Sequence, residues 1–475
     1  MTPSHSDFGD WLSPMLVKEL RQGIRSKVFM AAFYLTQLLM ILSVIFNLTA
    51  SSNGDGADGM LSFLNGLFWF MIGIPLLFLM PIRGFGSLYG EIKAGTLELV
   101  FLTRLSALRI AAGKWTALMV QTLLLIAAVL PYVLLRYFLG GVNVVQDLQS
   151  LLFLLLASGM LTAATIAISP YESKLLRALF VAGMMFGFFV ILFGFLGVMA
   201  SSGLGGGVGA SLVSGTVYLG IGLFAPAFIV LGLEMGASRI APAAENHAIR
   251  KRLLGIYLLL AAALLTVLGA DAEVTYTVAL ALLVVVTVDT LAEPQEIVRS
   301  LYQPFIQRGP GGRFLALFFT PGWASAAWYV VLLTVLGGGL LWVHGLLADA
   351  EKALLYLALL GCLIFPAALL RLVVPSTKHF LGLYIALQFF FAAVTFLVSM
   401  MAGIADEPLT IWLCPLPPCA FLLALLEQVK SEQVDQFLVV TALVTAAALG
   451  ILLVRTITPL RDIRTMLRQT SNKDA

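Results

Sequence analysis

The stretch 115-WTALMVQTLLLIAAVLPYVLL-135 contains no charged side chain, although Lys114 precedes it and Arg136 follows it. A helix needs roughly 20 mostly apolar residues to cross about 30 Å of membrane hydrocarbon. This run has that length and composition. It therefore predicts a membrane-spanning helix, which we place at residues 115–138.

The composition of the whole chain agrees with this prediction. Of its 475 residues, 60% are apolar and only 11% are charged, and the mean hydropathy is +1.00. A water-soluble fold cannot use so much apolar side chain, because most of its residues touch solvent. We therefore expect an all-α polytopic membrane protein with about twelve transmembrane helices. The predicted spans are 28–48, 61–82, 115–138, 150–169, 178–200, 214–235, 253–270, 274–290, 322–345, 353–373, 380–403 and 435–455.

Residues 1–27 precede the first apolar run and carry several charges, among them Asp7, Asp10 and Lys18. The run that follows, 28–48, is too long for the apolar core of a secretory signal peptide and lacks a small-residue cleavage site. We therefore expect the first span to remain in the mature protein.

Lysine and arginine residues indicate the orientation of the spans. With the N-terminus in the cytoplasm, all but three of the 28 basic residues fall on the cytoplasmic side or at its boundary. The three exceptions are Arg136, Lys352 and Lys430. We therefore expect both termini to be cytoplasmic. A further span within 411–428 would place the basic C-terminal tail outside, so we interpret 411–428 as an interfacial or re-entrant helix.

The pattern of spans and polar breaks predicts an organisation in two membrane domains. Residues 201–209, SSGLGGGVG, form a flexible outer loop within the first domain. The second domain does not repeat the first, and its role is open. The predicted segments are a cytoplasmic amphipathic helix at 1–27, a six-span domain at 28–235, a cytoplasmic linker at 236–252, a second six-span domain at 253–455 and a basic cytoplasmic tail at 456–475.

Near the N-terminus, apolar and basic residues fall on different faces of a predicted amphipathic helix. Ser13 can cap the helix, and Pro14 suits its first turn. The pattern predicts a helix lying on the inner membrane surface, with its apolar face towards the lipid. A simple positive anchor explains the pattern equally well. The apolar residues on one arc are Leu16, Val17, Leu20 and Ile24, and the cations on the other are Lys18, Arg21 and Arg25.

The cytoplasmic segment between the second and third spans, 84–114, is too apolar for a solvated loop. Its apolar part is bounded by charged residues, Glu91 and Lys93 before it and Arg109 and Lys114 after it. Such a segment is expected to be covered by another protein surface or by the membrane face. Gly95 followed by Thr96 is a plausible helix start. The apolar residues are Leu97, Leu99, Val100, Leu102 and Leu105.

The segments 12-LSPMLVKELRQGIRSKVF-29 and 90-GEIKAGTLELVFLTRLSALRIAAGK-114 together resemble the type-2 ABC exporter permease family. Its members begin with a cytoplasmic connecting helix. After the second span they carry an acidic residue, Gly-Thr-Leu-Glu, an apolar run, Thr-Pro-Leu-Ser and Gly-Lys. In the connecting helix the charged residues here are Lys18, Glu19, Arg21 and Arg25. The acidic residue is Glu91, the Gly-Thr-Leu-Glu motif is Gly95, Thr96, Leu97 and Glu98, and the apolar run includes Leu99 and Leu102. Thr103, Arg104, Leu105 and Ser106 stand at the Thr-Pro-Leu-Ser motif, and Gly113 and Lys114 at Gly-Lys.

The resemblance implies that residues 91–114 form a coupling segment that docks on a separate ABC ATPase subunit. ATP would be used by that partner, and this chain would bind no cofactor. A second permease copy or a sister permease would complete the exporter in the bacterial inner membrane. The resemblance covers residues 12–235, with Arg104 in place of the family's proline and the short loop 201–209 in place of outer helices.

Other chemical signatures are missing from the sequence. Gly113-Lys114 is followed by Trp115 rather than Ser or Thr, so no phosphate-binding Walker A motif is present. The four histidines have no metal-ligand spacing, and no nucleophile motif occurs. We therefore expect no enzymatic activity, no metal and no nucleic-acid partner. The alternative function is that of a non-transporting membrane scaffold or accessory subunit; an intramembrane enzyme would lack a catalytic constellation.

Some ionisable residues lie near the ends of predicted spans. We interpret Arg136, Glu234, Asp289 and Arg371 as anchors whose charged groups reach the membrane surface. Two cysteines, Cys414 and Cys419, lie close together in a Pro-rich outer segment, where a disulfide and two free thiols are both possible. Cys362, within a span, is expected to serve packing only.

Overall fold

In the computed structural model, every regular element of the described residues is helical. The chain forms two compact units, Met1–Ala241 and Pro242–Ala475, and the boundary falls inside the predicted linker. The described residues are 14–51, 57–95, 105–139, 144–171, 177–178, 180–183, 215–242, 244–295, 298–373, 380–405, 416–425 and 434–471.

The first unit contains the helices of the segments that carry the family resemblance. After α3 the chain continues through a π-helical turn (Pro75–Leu79), a short helical piece (Met80–Ile82) and a 3-10 turn (Arg83–Gly86). The α-helices are α1 (Pro14–Ile24), α2 (Lys27–Ser51), α3 (Ala57–Ile74), α4 (Tyr89–Ala94), α5 (Ala107–Leu139), α6 (Val144–Ile168) and α7 (Gly215–Ile240).

In the second unit, two short helices lie between the predicted spans 274–290 and 322–345. The last helix continues to Ser471 and so covers most of the predicted tail. The helices are α8 (Ala248–Val267), α9 (Ala272–Leu291), α10 (Arg299–Ile306), α11 (Gly309–Phe319), α12 (Trp323–Val343), α13 (Ala350–Val373), α14 (Phe380–Ala405), α15 (Pro417–Leu425) and α16 (Val434–Ser471).

Ten of the described helical stretches are long and apolar enough to cross a membrane. They correspond to ten of the twelve predicted spans. The predicted span 253–270 is present as α8, but α8 begins earlier and includes Arg250, Lys251 and Arg252, so it is not among the ten. The predicted span 178–200 lies mostly outside the described residues, as does the loop 201–209.

The π-helical turn begins at Pro75, where the ring removes a backbone donor. Backbone acceptors that lack a helical partner need another one inside an apolar environment. Within this turn, the hydroxyl of Ser158 on α6 donates to the Leu76 carbonyl at 2.7 Å. The two residues are buried, and the turn therefore belongs to the packed interior of the first unit.

Each unit has an apolar core of its own. In the first unit, Met40, Phe68, Ile72 and Leu125 are buried against one another. In the second unit the largest cluster includes Trp323, Ile364, Tyr384 and Leu452. Large apolar side chains also cover the outside of both units, as expected for surfaces in contact with lipid.

The short helix α15 lies within the predicted interfacial or re-entrant segment. Ala420 and Leu423 on α15 are buried against Leu354 and Ala358 of α13. Cys419 on the same helix is also buried. At nine residues, this helix is too short to cross a membrane.

Candidate functional site

A buried lysine joins the two segments that carry the family resemblance. The Lys114 ammonium, near the start of the long helix α5, lies 2.8 Å from the Glu91 carboxylate of α4 and 3.2 Å from the Glu19 carboxylate of α1. The Lys114 side chain is 5% exposed, and those of Glu91 and Glu19 are 15% and 21% exposed. One ammonium thus connects three helices.

The charge balance makes this cluster sensitive to the loss of its cation. Two carboxylates share a single ammonium, so without Lys114 two like charges would remain close together with little water around them. Breaking a buried ion pair from one side costs about 3–5 kcal/mol, since an uncompensated charge remains. The cluster therefore fixes α1 against α4 and α5.

Arg83, in the 3-10 turn after α3, holds the junction between α1 and α2. Its guanidinium donates to the Gly23 carbonyl and the Ser26 hydroxyl, each at 3.1 Å. It also donates to the side-chain oxygen of Gln121 on α5 and lies 5.8 Å from the centre of the Phe29 ring. The end of α1 and the start of α2 are therefore tied to the chain that leads into α4.

Ser169, just after α6, holds the start of α4. Its hydroxyl donates to the Phe85 carbonyl at 2.8 Å and accepts from the backbone N–H groups of Leu88 and Tyr89 at 3.0 and 3.1 Å. The guanidinium of Arg177 lies over the Tyr89 ring at 4.1 Å. These contacts satisfy backbone groups that a helix start leaves without intrahelical partners.

Gly95 ends α4, and the helix predicted to start at Gly95 and Thr96 would lie outside the described residues. Its φ of +65° is left-handed, a conformation that glycine adopts without steric cost. The next described residues, from Leu105 onward, lead directly into α5, and the Ser106 carbonyl accepts from Ile110 N–H at 3.2 Å. The last part of the predicted coupling segment therefore consists of the first turns of α5.

The structure brings together three of the residues singled out in the sequence, Glu19, Glu91 and Lys114. The other residues of the connecting helix, Lys18, Arg21 and Arg25, are exposed, which agrees with the predicted polar face. The docking residues that lie outside the described part of the chain are Thr96, Leu97, Glu98, Leu99, Leu102, Thr103 and Arg104.

Sequence reasoning did not find Arg83 or Ser169. Arg83 is separated from Gly23 by 60 residues, and Ser169 from Phe85 by 84. Two sequence features pointed weakly to these residues: Arg83 directly follows one apolar run, and Ser169 precedes a proline at the end of another. Neither feature identifies the residue that the side chain contacts.

In the second unit, a buried ion network occupies the cluster Lys251, Arg252, Asp289 and Glu293. The Lys251 ammonium lies 2.7 Å from Asp289 and 2.6 Å from Glu293, and the Arg252 guanidinium lies 2.9 Å from Glu293. Arg252 also donates to the Phe318 carbonyl at 2.6 Å. Two cations and two carboxylates balance, so the network is a structural contact between α8, α9 and the start of α12.

The interpretation of Asp289 as a surface-reaching anchor is therefore wrong. Asp289 is only 2% exposed, and its carboxylate is paired inside the protein. Arg371 is also buried: it donates to the Leu291 carbonyl at 3.1 Å and lies over the Phe380 ring at 4.1 Å. A charge near the end of a span needs either water or a protein partner, and these residues have protein partners.

In the first unit, the predicted anchors Arg136 and Glu234 are also buried. The Arg136 guanidinium lies 3.6 Å from the Asp147 carboxylate and 3.8 Å from the centre of the Phe68 ring. Arg136 is 2% exposed, and Glu234 on α7 is fully buried. Arg136 therefore connects α5 to α6 and α3, and neither side chain reaches the membrane surface.

Glu293 lies just after α9 and is charged in the folded protein. Burial of its carboxyl acts to raise the pKa, but the attraction of Lys251 and Arg252 outweighs that effect. The pKa of Glu293 is consequently below its ordinary value of 4.5. Its carboxylate also accepts from the Gly322 N–H at 3.1 Å, at the start of α12.

Thiols and metal ligands can be placed only within the described ranges. Cys362 and Cys419 are free cysteines, and Cys414, the other candidate for a bond to Cys419, lies outside those ranges. Within them, no group of three or more His, Cys, Asp or Glu side chains could hold a metal ion.

Comparison of the chain with protein-family models, curated proteins and solved structures gives no match.

Proposed function

We propose that this chain is the membrane subunit of an ATP-driven exporter of the type-2 ABC class. It would form the translocation path in a bacterial inner membrane with about twelve spans and both termini in the cytoplasm. A separate ATPase would dock on residues 91–114, and a second copy or a sister permease would complete the path.

The Lys114 cluster is the observation that supports this proposal. An exporter driven by a separate ATPase needs a stiff connection from the docked segment to the spans. Glu91 lies at one end of the predicted docking segment, and Lys114 is on the helix that contains the third span. Movement of the segment would therefore be passed directly to α5, and through Glu19 to α1.

Arg83 would extend this connection to the first two spans. It contacts the junction of α1 and α2 and also Gln121 of α5. ATP binding and hydrolysis in the partner would bring two copies of the docking segment together and apart. Helices α1, α2, α4 and α5, which are connected by the contacts of Lys114 and Arg83, would move together with the docking segments.

The test is recovery of an ATPase subunit with the purified permease. Leu99→Asp and Leu102→Asp would each place a charge in an apolar contact, and such an unpaired buried charge costs several kcal/mol. We expect both variants to lose the ATPase, and Glu98→Ala to weaken its binding. The matched control is Gln307→Asp, on an exposed residue of the second unit that the orientation also places in the cytoplasm.

Membrane abundance must be measured in parallel, since the spans should insert normally in every variant. Full ATPase recovery with Leu99→Asp and Leu102→Asp at normal abundance would remove residues 91–114 as the docking element. That result would favour the scaffold or accessory role instead. The permease alone should show no ATP hydrolysis, because it lacks a Walker A motif.

A further inference from the structure

A cavity of about 470 Å³ lies in the second unit, where the α10–α11 pair meets the start of α8. Pockets that bind small organic molecules have volumes of about 300–1,000 Å³. Most of the cavity wall is apolar. The apolar side chains are Ile249 and Leu253 of α8, Leu301 and Phe305 of α10, and Leu315 and Phe319 of α11.

The polar part of the wall is positively charged. Arg308, in the turn between α10 and α11, lines the cavity and is exposed, as is Ser300. Among the described residues, no carboxylate pairs with Arg308. The Glu245 carboxylate, which does not line the cavity, lies 3.1 Å from the His247 ring nitrogen. Asn246 also lines the cavity; its side-chain amide donates to the Phe319 carbonyl and its side-chain oxygen accepts from the Ala248 N–H.

The cavity lies at the level where membrane-spanning residues begin. Leu253 is the first residue of the predicted span 253–270 and is 50% exposed. Phe319 leads into α12, a candidate membrane-spanning helix. Beside the opening, Phe314 is 65% and Leu315 43% exposed. An aromatic and an aliphatic side chain exposed beside an arginine are typical of a surface at the boundary of headgroups and acyl chains.

We propose that this cavity binds an anionic phospholipid, with the phosphate at Arg308 and one acyl chain along the apolar wall. A cation at the opening and an apolar interior match the two ends of such a lipid. A docked protein would also need an apolar surface. Leu253, which lines the cavity, is the first residue of a predicted span, and this favours a ligand that comes from the membrane. This inference does not depend on the proposed export function.

The full-length chain, purified in a non-ionic detergent, allows a direct test by native mass spectrometry and thermal stabilisation. The probes are dioleoylphosphatidylglycerol, dioleoylphosphatidylcholine with the same acyl chains, and inorganic phosphate. We expect a preference for phosphatidylglycerol and no stabilisation by phosphate alone. Arg308→Gln should weaken phosphatidylglycerol binding about fivefold, the amount expected for one cation near an anionic lipid.

Arg313→Gln is the matched control, because Arg313 is an exposed arginine on α11 that does not line the cavity. It should retain the preference. Ser300→Phe, which adds volume at an exposed position of the wall, should weaken binding of both lipids. Without lipid, all three variants should melt as the unaltered protein does.

Three outcomes would overturn the proposal. Equal losses of phosphatidylglycerol binding in Arg308→Gln and Arg313→Gln would indicate a general electrostatic attraction of the lipid to basic residues rather than binding in this cavity. Stabilisation by phosphate as strong as by the lipid would indicate a soluble anion as the ligand. Unchanged lipid binding by Arg308→Gln, together with loss of a protein partner, would assign the cavity to that partner.

Discussion

At the scale of single residues, the first unit depends on a few buried polar side chains that each contact several helices. Lys114 contacts carboxylates on α1 and α4, and Arg83 contacts the junction of α1 and α2. Breaking the Lys114 contacts is costly because two carboxylates would remain charged in a poorly solvated place.

We expect Lys114→Met to lower the free energy of unfolding by about 3 kcal/mol, the lower end of the range for breaking a buried ion pair, because the two glutamates retain some exposure. Thermal unfolding in detergent would measure the change. Lys93→Met is the control, since Lys93 is exposed on α4. Equal melting temperatures for both variants would show that the cluster does not stabilise the unit.

The lowered pKa of Glu293 predicts a dependence of stability on acid. A carboxyl with a lower pKa when folded stabilises the protein fully above its ordinary pKa, and this stabilisation is lost as the pH falls through the folded value. We therefore expect the melting temperature to decline below about pH 4.5 partly through Glu293. In Glu293→Gln, the protein should be less stable at neutral pH and should show a shallower decline in acid. An unchanged decline would contradict this assignment.

At the scale of elements, α6 and α7 approach closely at small residues. A Cβ added to Gly232 would lie 2.9 Å from the Ala163 carbonyl oxygen, and one added to Gly236 would lie 3.0 Å from that of Ile166. Both neighbours are backbone atoms, which cannot rotate away. Close approach through glycine is a common way for helices to pack within membranes.

Gly232→Ala should therefore destabilise the first unit by about 1–3 kcal/mol, the usual cost of overfilling a packed interior. Gly222→Ala on the same helix is the control, because nothing lies within 4 Å of its added Cβ. Detergent melting and membrane abundance of both variants would be compared. A Gly232→Ala protein as stable as the control would mean that α6 and α7 can separate freely.

At the scale of the whole molecule, ten helical stretches among the described residues are long and apolar enough to cross a membrane. The predicted orientation rests on the distribution of basic residues. A reporter that is active only outside the cytoplasm should be active when fused at Asp55 and silent when fused at Ala94. Both fusion sites lie in segments that connect predicted spans. The opposite pattern at the two sites would reverse the orientation and remove residues 91–114 from the reach of a cytoplasmic ATPase.

The helical class and most of the spans could be predicted from the sequence, because they depend on local properties. A run such as 115–138 must satisfy its own backbone hydrogen bonds in hydrocarbon, so length and hydropathy suffice to identify it. The separation of apolar and charged residues onto two faces of α1 could also be predicted, because it follows from helical periodicity. The family resemblance stays a prediction over its whole length, residues 12–235, and the middle of its docking segment, 96–104, lies outside the described residues.

Only the tertiary structure decided which charges meet. Lys114 and Glu19 are 95 residues apart, and Arg252 and Glu293 are 41 apart. Position near a span end suggested lipid-surface anchors for Asp289 and Arg371, yet both are buried with protein partners. The physical reason is that hydropathy measures the cost of removing a charge from water, whereas the compensating partner is supplied by whichever helix packs beside it.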